Sequence, residues 1–167
     1  MAEKYSHALS LFEAMSGHSI SNFNLNPSIK SSFSPSTFTI AEFIRIAKKL
    51  DDVEVVSAIL QWAALERTYL PIGIISDGIS FLFQKGNTDL VFSVYSSLLE
   101  NKMVSHWTHL GQLVEVDVHG FSQGMTYAAV TSAVKEVLLL KDCFFIYFKN
   151  TQCFLCMLYF ISLYCRL

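Results

Sequence analysis

Cysteine is missing from the first 142 residues, and all four (Cys143, Cys153, Cys156, Cys165) fall in the last 25. A body without thiols cannot be a disulfide-stapled secreted scaffold. A basic excess is missing too. Twelve Lys and Arg stand against 14 Asp and Glu, giving a net charge of −2 and a pI near 6.2. That excludes a strongly basic nucleic-acid surface but leaves room for a local groove, since Arg45, Lys48 and Lys49 lie close together. No apolar run opens the chain: Glu3, Lys4 and His7 interrupt it, which excludes a signal peptide. The start is not Arg- and Ser-rich either, so Met1 is expected to begin inside a folded unit rather than a transit peptide.

What is present is apolar residue, 52% of the chain and unevenly spread. Ala8, Leu9, Leu11, Phe12 and Met15 give 4–15 an amphipathic helical pattern that Gly17 ends. Residues 16–36 are rich in Ser and Asn, contain Pro27 and Pro35, and read as a long loop. Two units of similar design follow. Helices are expected over 37–49 and 53–65 around the turn Leu50-Asp51-Asp52, then over 74–84 and 88–100 around Lys85-Gly86-Asn87. Superposing Lys49-Leu50-Asp51 on Lys85-Gly86-Asn87 gives a 36-residue offset, pairing Val55 with Val91, Val56 with Phe92, Ile59 with Tyr95 and Trp62 with Leu98. A helix–turn–helix period near 35 residues signals stacked hairpins that bury each other's apolar stripes. Residues 101–112 read as a linker, with His106 and His109 on either side of Trp107.

The stretch from Val114 to Gly124 changes period. Val114, Val116 and Val118 alternate with Glu115, Asp117 and His119, which is strand spacing. Gly120 breaks it, Ser122 offers a helix N-cap, and apolar residues from Tyr127 to Leu138 fall at helical spacing. A strand, a tight turn and a helix are predicted, with Asp117 and His119 two apart and therefore on one strand face.

Val116-Asp117-Val118-His119-Gly120-Phe121-Ser122-Gln123-Gly124 resembles the opening signature of the Smr (small MutS-related) domain, an L-D-x-H-G segment leading into a helix. Met125 stands where that family carries Glu. Upstream, Leu11-Phe12-Glu13-Ala14-Met15 resembles the L-F-E-x-M that closes the second helix of a pentatricopeptide (PPR) repeat, and the two hairpins resemble further PPR units. The period alone leaves the tetratricopeptide type open; the Lys85-Gly86-Asn87 turn and the junction at Pro71 favour PPR. PPR tracts joined to an Smr domain belong to organellar RNA proteins. The expected fold class is mainly α: a short PPR-like α-solenoid, then an incomplete α/β Smr strand–helix unit and a hydrophobic tail. The expected divisions are 1–36 (partial repeat helix and loop), 37–106 (two hairpins), 107–140 (partial Smr domain) and 141–167 (tail).

The resemblance implies single-stranded RNA as partner and the chloroplast or mitochondrion as location. It places base-reading positions at Ser76 and near His106, with Ile40 in the equivalent place of the first hairpin. Arg45, Lys48, Lys49, Arg67 and Lys85 would meet phosphates or solvate the outer face. Asp117 and His119 are the half-site that would act on a phosphodiester in a full Smr endonuclease, by orienting an imidazole or activating water. The second, Gly-rich motif of that family does not follow Leu140, so catalysis is not expected of this chain. The simpler reading has Asp117 cap the turn with His119 packed beside it. A protein-interaction scaffold is the alternative function. No cofactor is expected, and neither the His106–His109 pair nor Cys153-x-x-Cys156 has the ligand set of a metal site.

Residues 141–167 carry the apolar runs Cys143–Phe148 and Cys153–Cys165. At 13 residues the second is short of the roughly 20 that span a bilayer. Three readings stand: non-native sequence behind a truncated domain (from a retained intron or shifted frame), a membrane anchor, or a buried element. The first is the expectation.

Overall fold

The computed structural model describes residues 2–16, 35–104, 107–110, 113–139 and 145–149. Among them the chain is mainly helical. It runs α1 (Ala2–Ser16), α2 (Thr37–Lys49), α3 (Val53–Leu65), α4 (Ile72–Gln84), α5 (Thr88–Glu100), β1 (Thr108–Leu110), β2 (Leu113–Asp117), α6 (Gln123–Leu139) and β3 (Phe145–Lys149).

Local chemistry sets the helix ends. Ser36 caps α2 by accepting the Thr39 amide at 3.1 Å, and Asp52 caps α3 by accepting the Val55 amide at 3.1 Å. The Asp52 amide also donates to Ala47 O at 2.9 Å, so one residue closes α2 and opens α3. The same closure recurs three times. Thr68 donates to Ala63 O at 2.9 Å, Asn87 to Leu82 O at 3.1 Å and Met103 to Leu98 O at 2.9 Å. Ahead of each donor stands a residue in the left-handed region: Asp51 (φ 62), Arg67 (φ 51), Gly86 (φ 76) and Lys102 (φ 60). A helix ending this way satisfies carbonyls that would otherwise lack a donor.

These landmarks fix the repeat at 35 residues. Helix starts, helix ends and left-handed residues of α2–α3 all recur 35 positions later in α4–α5. The 36-residue offset is therefore corrected by one. Matching Lys49 to Lys85 by letter misaligned the turn, whereas backbone geometry puts Asp51 opposite Gly86. Helix α4 accordingly starts at Ile72 rather than Ile74, directly behind Pro71. Seven apolar pairs then fall into register: Ile40/Ile75, Ile44/Ile79, Ala47/Leu82, Val56/Val91, Ile59/Val94, Leu60/Tyr95 and Ala63/Leu98. Every member is at most 2% exposed. Each pair of helices is joined by three residues, so each folds back as a hairpin, and α3 lies against α4 and α5. The approach is close at Gly78, where an added Cβ would stand 2.8 Å from Leu60 Cδ1.

Helix α1 meets the first hairpin through large side chains. The Phe12 ring lies 4.8 Å from Phe43 and 5.4 Å from Trp62, and the Tyr5 hydroxyl donates to Asp52 Oδ2 at 3.3 Å. Burial, then the Asp52 carboxylate beside it, pushes the Tyr5 phenol well above its ordinary range.

At the other end, α6 lies across α4 and α5. An added Cβ on Gly124 would stand 2.8 Å from Phe83 Cβ and 3.1 Å from both Ile79 O and Ser80 Cα, so only glycine lets the backbones approach. Tyr127 inserts its ring between Phe83 (5.0 Å) and Phe92 (5.7 Å), and Lys135 Nζ sits 4.4 Å over Phe92.

The three strands form one sheet in the order β1-β2-β3. β1 and β2 are antiparallel, pairing Thr108 with Glu115 and Leu110 with Leu113. β2 and β3 are parallel from Leu113/Phe145 to Asp117/Lys149, with α6 as the crossover between them. Val114, Val116 and Val118 are buried, as the alternation requires. Two sequence expectations change here. Residues 101–112 are not all linker, because β1 lies within them. The division at 140 cuts through a strand–helix–strand unit, since 145–149 pairs with β2. The rest of the tail, including Cys153–Cys165, lies outside the described residues. No described helix is long and apolar enough to cross a membrane.

Candidate functional site

The Asp117–His119 turn stands at the carboxyl end of β2, ahead of the amino end of α6. β2 ends at Asp117, so His119 lies in the turn and not on the strand, and the two side chains do not share a strand face. Asp117 Oδ1 accepts the His119 amide at 2.9 Å. Phe121 N donates to Val118 O at 3.1 Å, and Gly120 takes φ 73, a conformation that glycine adopts without strain. Asp117 thus caps the turn, while His119 is exposed rather than packed beside it. The carboxylate holds its neighbour's backbone, and the imidazole faces water. Backbone register sets Lys149 level with Asp117 across the parallel pair.

Behind this turn lies a contact that sequence reasoning missed. The Ser122 amide donates to Ser76 Oγ at 2.8 Å, and the Ser122 hydroxyl donates to Ser76 O at 3.0 Å. Ser122 Oγ also accepts the Met125 amide at 3.4 Å, the long N-cap bond of α6. Ser76 is 5% exposed, so the hydroxyl expected at a base-reading position is buried and bonded to α6. With the repeat at 35, its equivalent in α2 is Ala41, and Ile40 pairs with Ile75 in the core. Met125, in the place of the family Glu, is fully buried. Only the reading of Ser122 as an N-cap hinted at any of this.

The cations of α2 have partners within the chain. Arg45 grips Glu42 with Nε at 3.0 Å and Nη2 at 2.5 Å from Oε2. That hydrogen bond holds the Glu42 carboxyl below its usual range and raises the Arg45 guanidinium above its own; Lys49 nearby adds to the lowering. Lys48 Nζ lies 2.5 Å from Asp77 Oδ1 on α4, and Lys85 Nζ lies 2.6 Å from Asp51 Oδ1. The second pair crosses between the two hairpin turns. Lys49 is exposed on α2. So the fold ties Ser76 to Ser122, three residues past His119 in the chain, joins Asp117 to the His119 backbone, and sets Arg45, Lys48 and Lys49 on a separate helix.

His106 lies outside the described residues. Trp107 beside it is buried, and the backbone of His109 is in β1. Among the described residues no group of three or more His, Cys, Asp or Glu is placed to hold a metal ion. Compared with known proteins, the chain matches no family model, no curated protein and no solved structure.

Proposed function

We propose that this chain binds single-stranded RNA as a PPR-type helical repeat joined to a partial Smr-type strand–helix–strand unit, without catalysis of its own. The supporting observation is the 35-residue recurrence, which holds from helix ends and left-handed turn residues down to seven buried side-chain pairs. The site in this reading is the surface of the first helices, α2 and α4, with Lys49, Lys48 and Arg45 meeting phosphates. Arg45 and Lys48 must exchange Glu42 and Asp77 for phosphate as they do so, which favours modest affinity. The place of action is a chloroplast or mitochondrion. The test is fluorescence anisotropy of a labelled single-stranded RNA over a salt series. Affinity should fall steeply with salt, and Lys48→Ala with Lys49→Ala should weaken binding and flatten the slope by one to two charges. Salt-independent binding, or none, sinks the reading.

One observation favours a second reading, a protein-interaction scaffold. Phe38 and Tyr69 are 74% and 77% exposed on one rim, where Thr37 Oγ1 donates to Tyr69 O at 3.0 Å. Large exposed apolar groups of this kind mark contact surfaces. Binding to a protein partner that ignores salt and weakens with Phe38→Ser would support it.

A further inference from the structure

We propose that Glu42 on α2 and Asp77 on α4 are built-in stand-ins for phosphate, each holding a cation of α2 until a polyanionic chain displaces it. The proposal rests on the RNA reading above and adds to it what keeps the site closed. Glu42 and Asp77 are 35 residues apart and so occupy one position of the repeat. Both carboxylates are engaged by α2. Arg45 Nε donates to Glu42 Oε2 at 3.0 Å, and Lys48 Nζ lies 2.5 Å from Asp77 Oδ1. The cations are not equivalent, since Arg45 reaches back along its own helix and Lys48 reaches across to the second hairpin. What recurs is the acid. In α4 the places of Arg45 and Lys48 fall to Ser80 and Phe83, so Asp77 takes its cation from the neighbouring hairpin.

The layering of the Lys48–Asp77 pair makes the acid a barrier. The lysine side chain is 25% exposed and the aspartate 61%, so an anion arriving from water meets Asp77 before it meets the ammonium. Lys85 and Asp51, which also join the two hairpins, keep the same order at 39% and 62%. Carboxylate and phosphate oxygens offer an ammonium the same kind of charged acceptor. The fold holds Asp77 beside Lys48, so a lone phosphate competes against a tethered rival, whereas a chain of phosphates gains from several contacts at once. An ion pair this open to water is weak, which lets the exchange occur. Asp77 thus sets a threshold that only a polyanionic chain passes.

The test is a titration of a labelled single-stranded RNA into the full chain and its variants. Asp77→Asn should tighten binding at least threefold more than Asp89→Asn, which removes an exposed acid of α5 and changes the net charge equally. Adding Lys48→Ala to both should erase that difference. Glu42→Gln, with and without Arg45→Ala, repeats the comparison at the first hairpin. Asp77→Asn binding no tighter than Asp89→Asn overturns the proposal, as does a gain that persists without Lys48. Salt-dependent binding by the parent chain together with either result fails the proposal and leaves the RNA reading standing. No binding by any variant fails both.

Discussion

Ser76 and Ser122, 46 residues apart, bond each other twice: the Ser122 amide to Ser76 Oγ at 2.8 Å and the Ser122 hydroxyl to Ser76 O at 3.0 Å. This clasp fastens the amino end of α6, and with it the Asp117–His119 turn, to the second hairpin. Ser76→Ala leaves a partly buried amide without its acceptor and should cost about 1–2 kcal/mol in urea unfolding. Ser122→Ala removes the cap and one arm of the clasp, for a similar cost. The double variant should fall short of the sum, because the two changes share a contact.

Three glycines should respond differently to alanine. Gly124→Ala meets Phe83 Cβ and the α4 backbone, which cannot yield, and should cost about 1–3 kcal/mol. Gly78→Ala meets only the flexible end of Leu60 and should cost less. Gly73 has open space in the first turn of α4, so Gly73→Ala should stabilise by about 0.5–1 kcal/mol. Thermal melts of the three variants give the order directly.

Arg67 and Lys102 hold left-handed backbone with side chains exposed. Glycine relieves that strain, so Arg67→Gly and Lys102→Gly should each raise stability by up to about 1 kcal/mol. Gly86→Ala, in the equivalent conformation at φ 76, should lower it by about as much. Opposite signs in denaturant midpoints would confirm the turn geometry.

Burial pushes the Tyr95 phenol up to about 12 from its ordinary value of 10. A group whose folded value is raised contributes fully below its unfolded value and loses that contribution as pH climbs through the folded one. Stability should therefore be flat up to pH 10 on this account and fall between pH 10 and 12, by about 2–3 kcal/mol at most. Tyr95→Phe should remove that contribution, and Tyr5, shifted in the same direction, should leave a fall over the same range that the Tyr95 variant keeps.

The helices were legible because their apolar spacing and the turns Leu50-Asp51-Asp52 and Lys85-Gly86-Asn87 are local signals. The repeat was legible to within one residue. The error arose where Asp51 and Gly86 share a backbone conformation but not a side chain. β3 was hidden because Cys143–Phe148 is a continuous apolar run with no alternation to mark a strand, which it shares with a greasy tail. The Ser76–Ser122 clasp was hidden too, since two serines far apart in the chain carry no mark of meeting. The pairings Lys48–Asp77 and Lys85–Asp51 are of the same kind: opposite charges were visible, their distances were not.

β2 lies between β1 and β3, with a partner on each side. A translation product halted between Asp117 and Phe145 would leave one flank of that strand bare, along 113–117. Such shortened products should be the aggregating ones, pairing strand to strand between molecules, and would be open to quality-control proteases in a way that the longer chain is not.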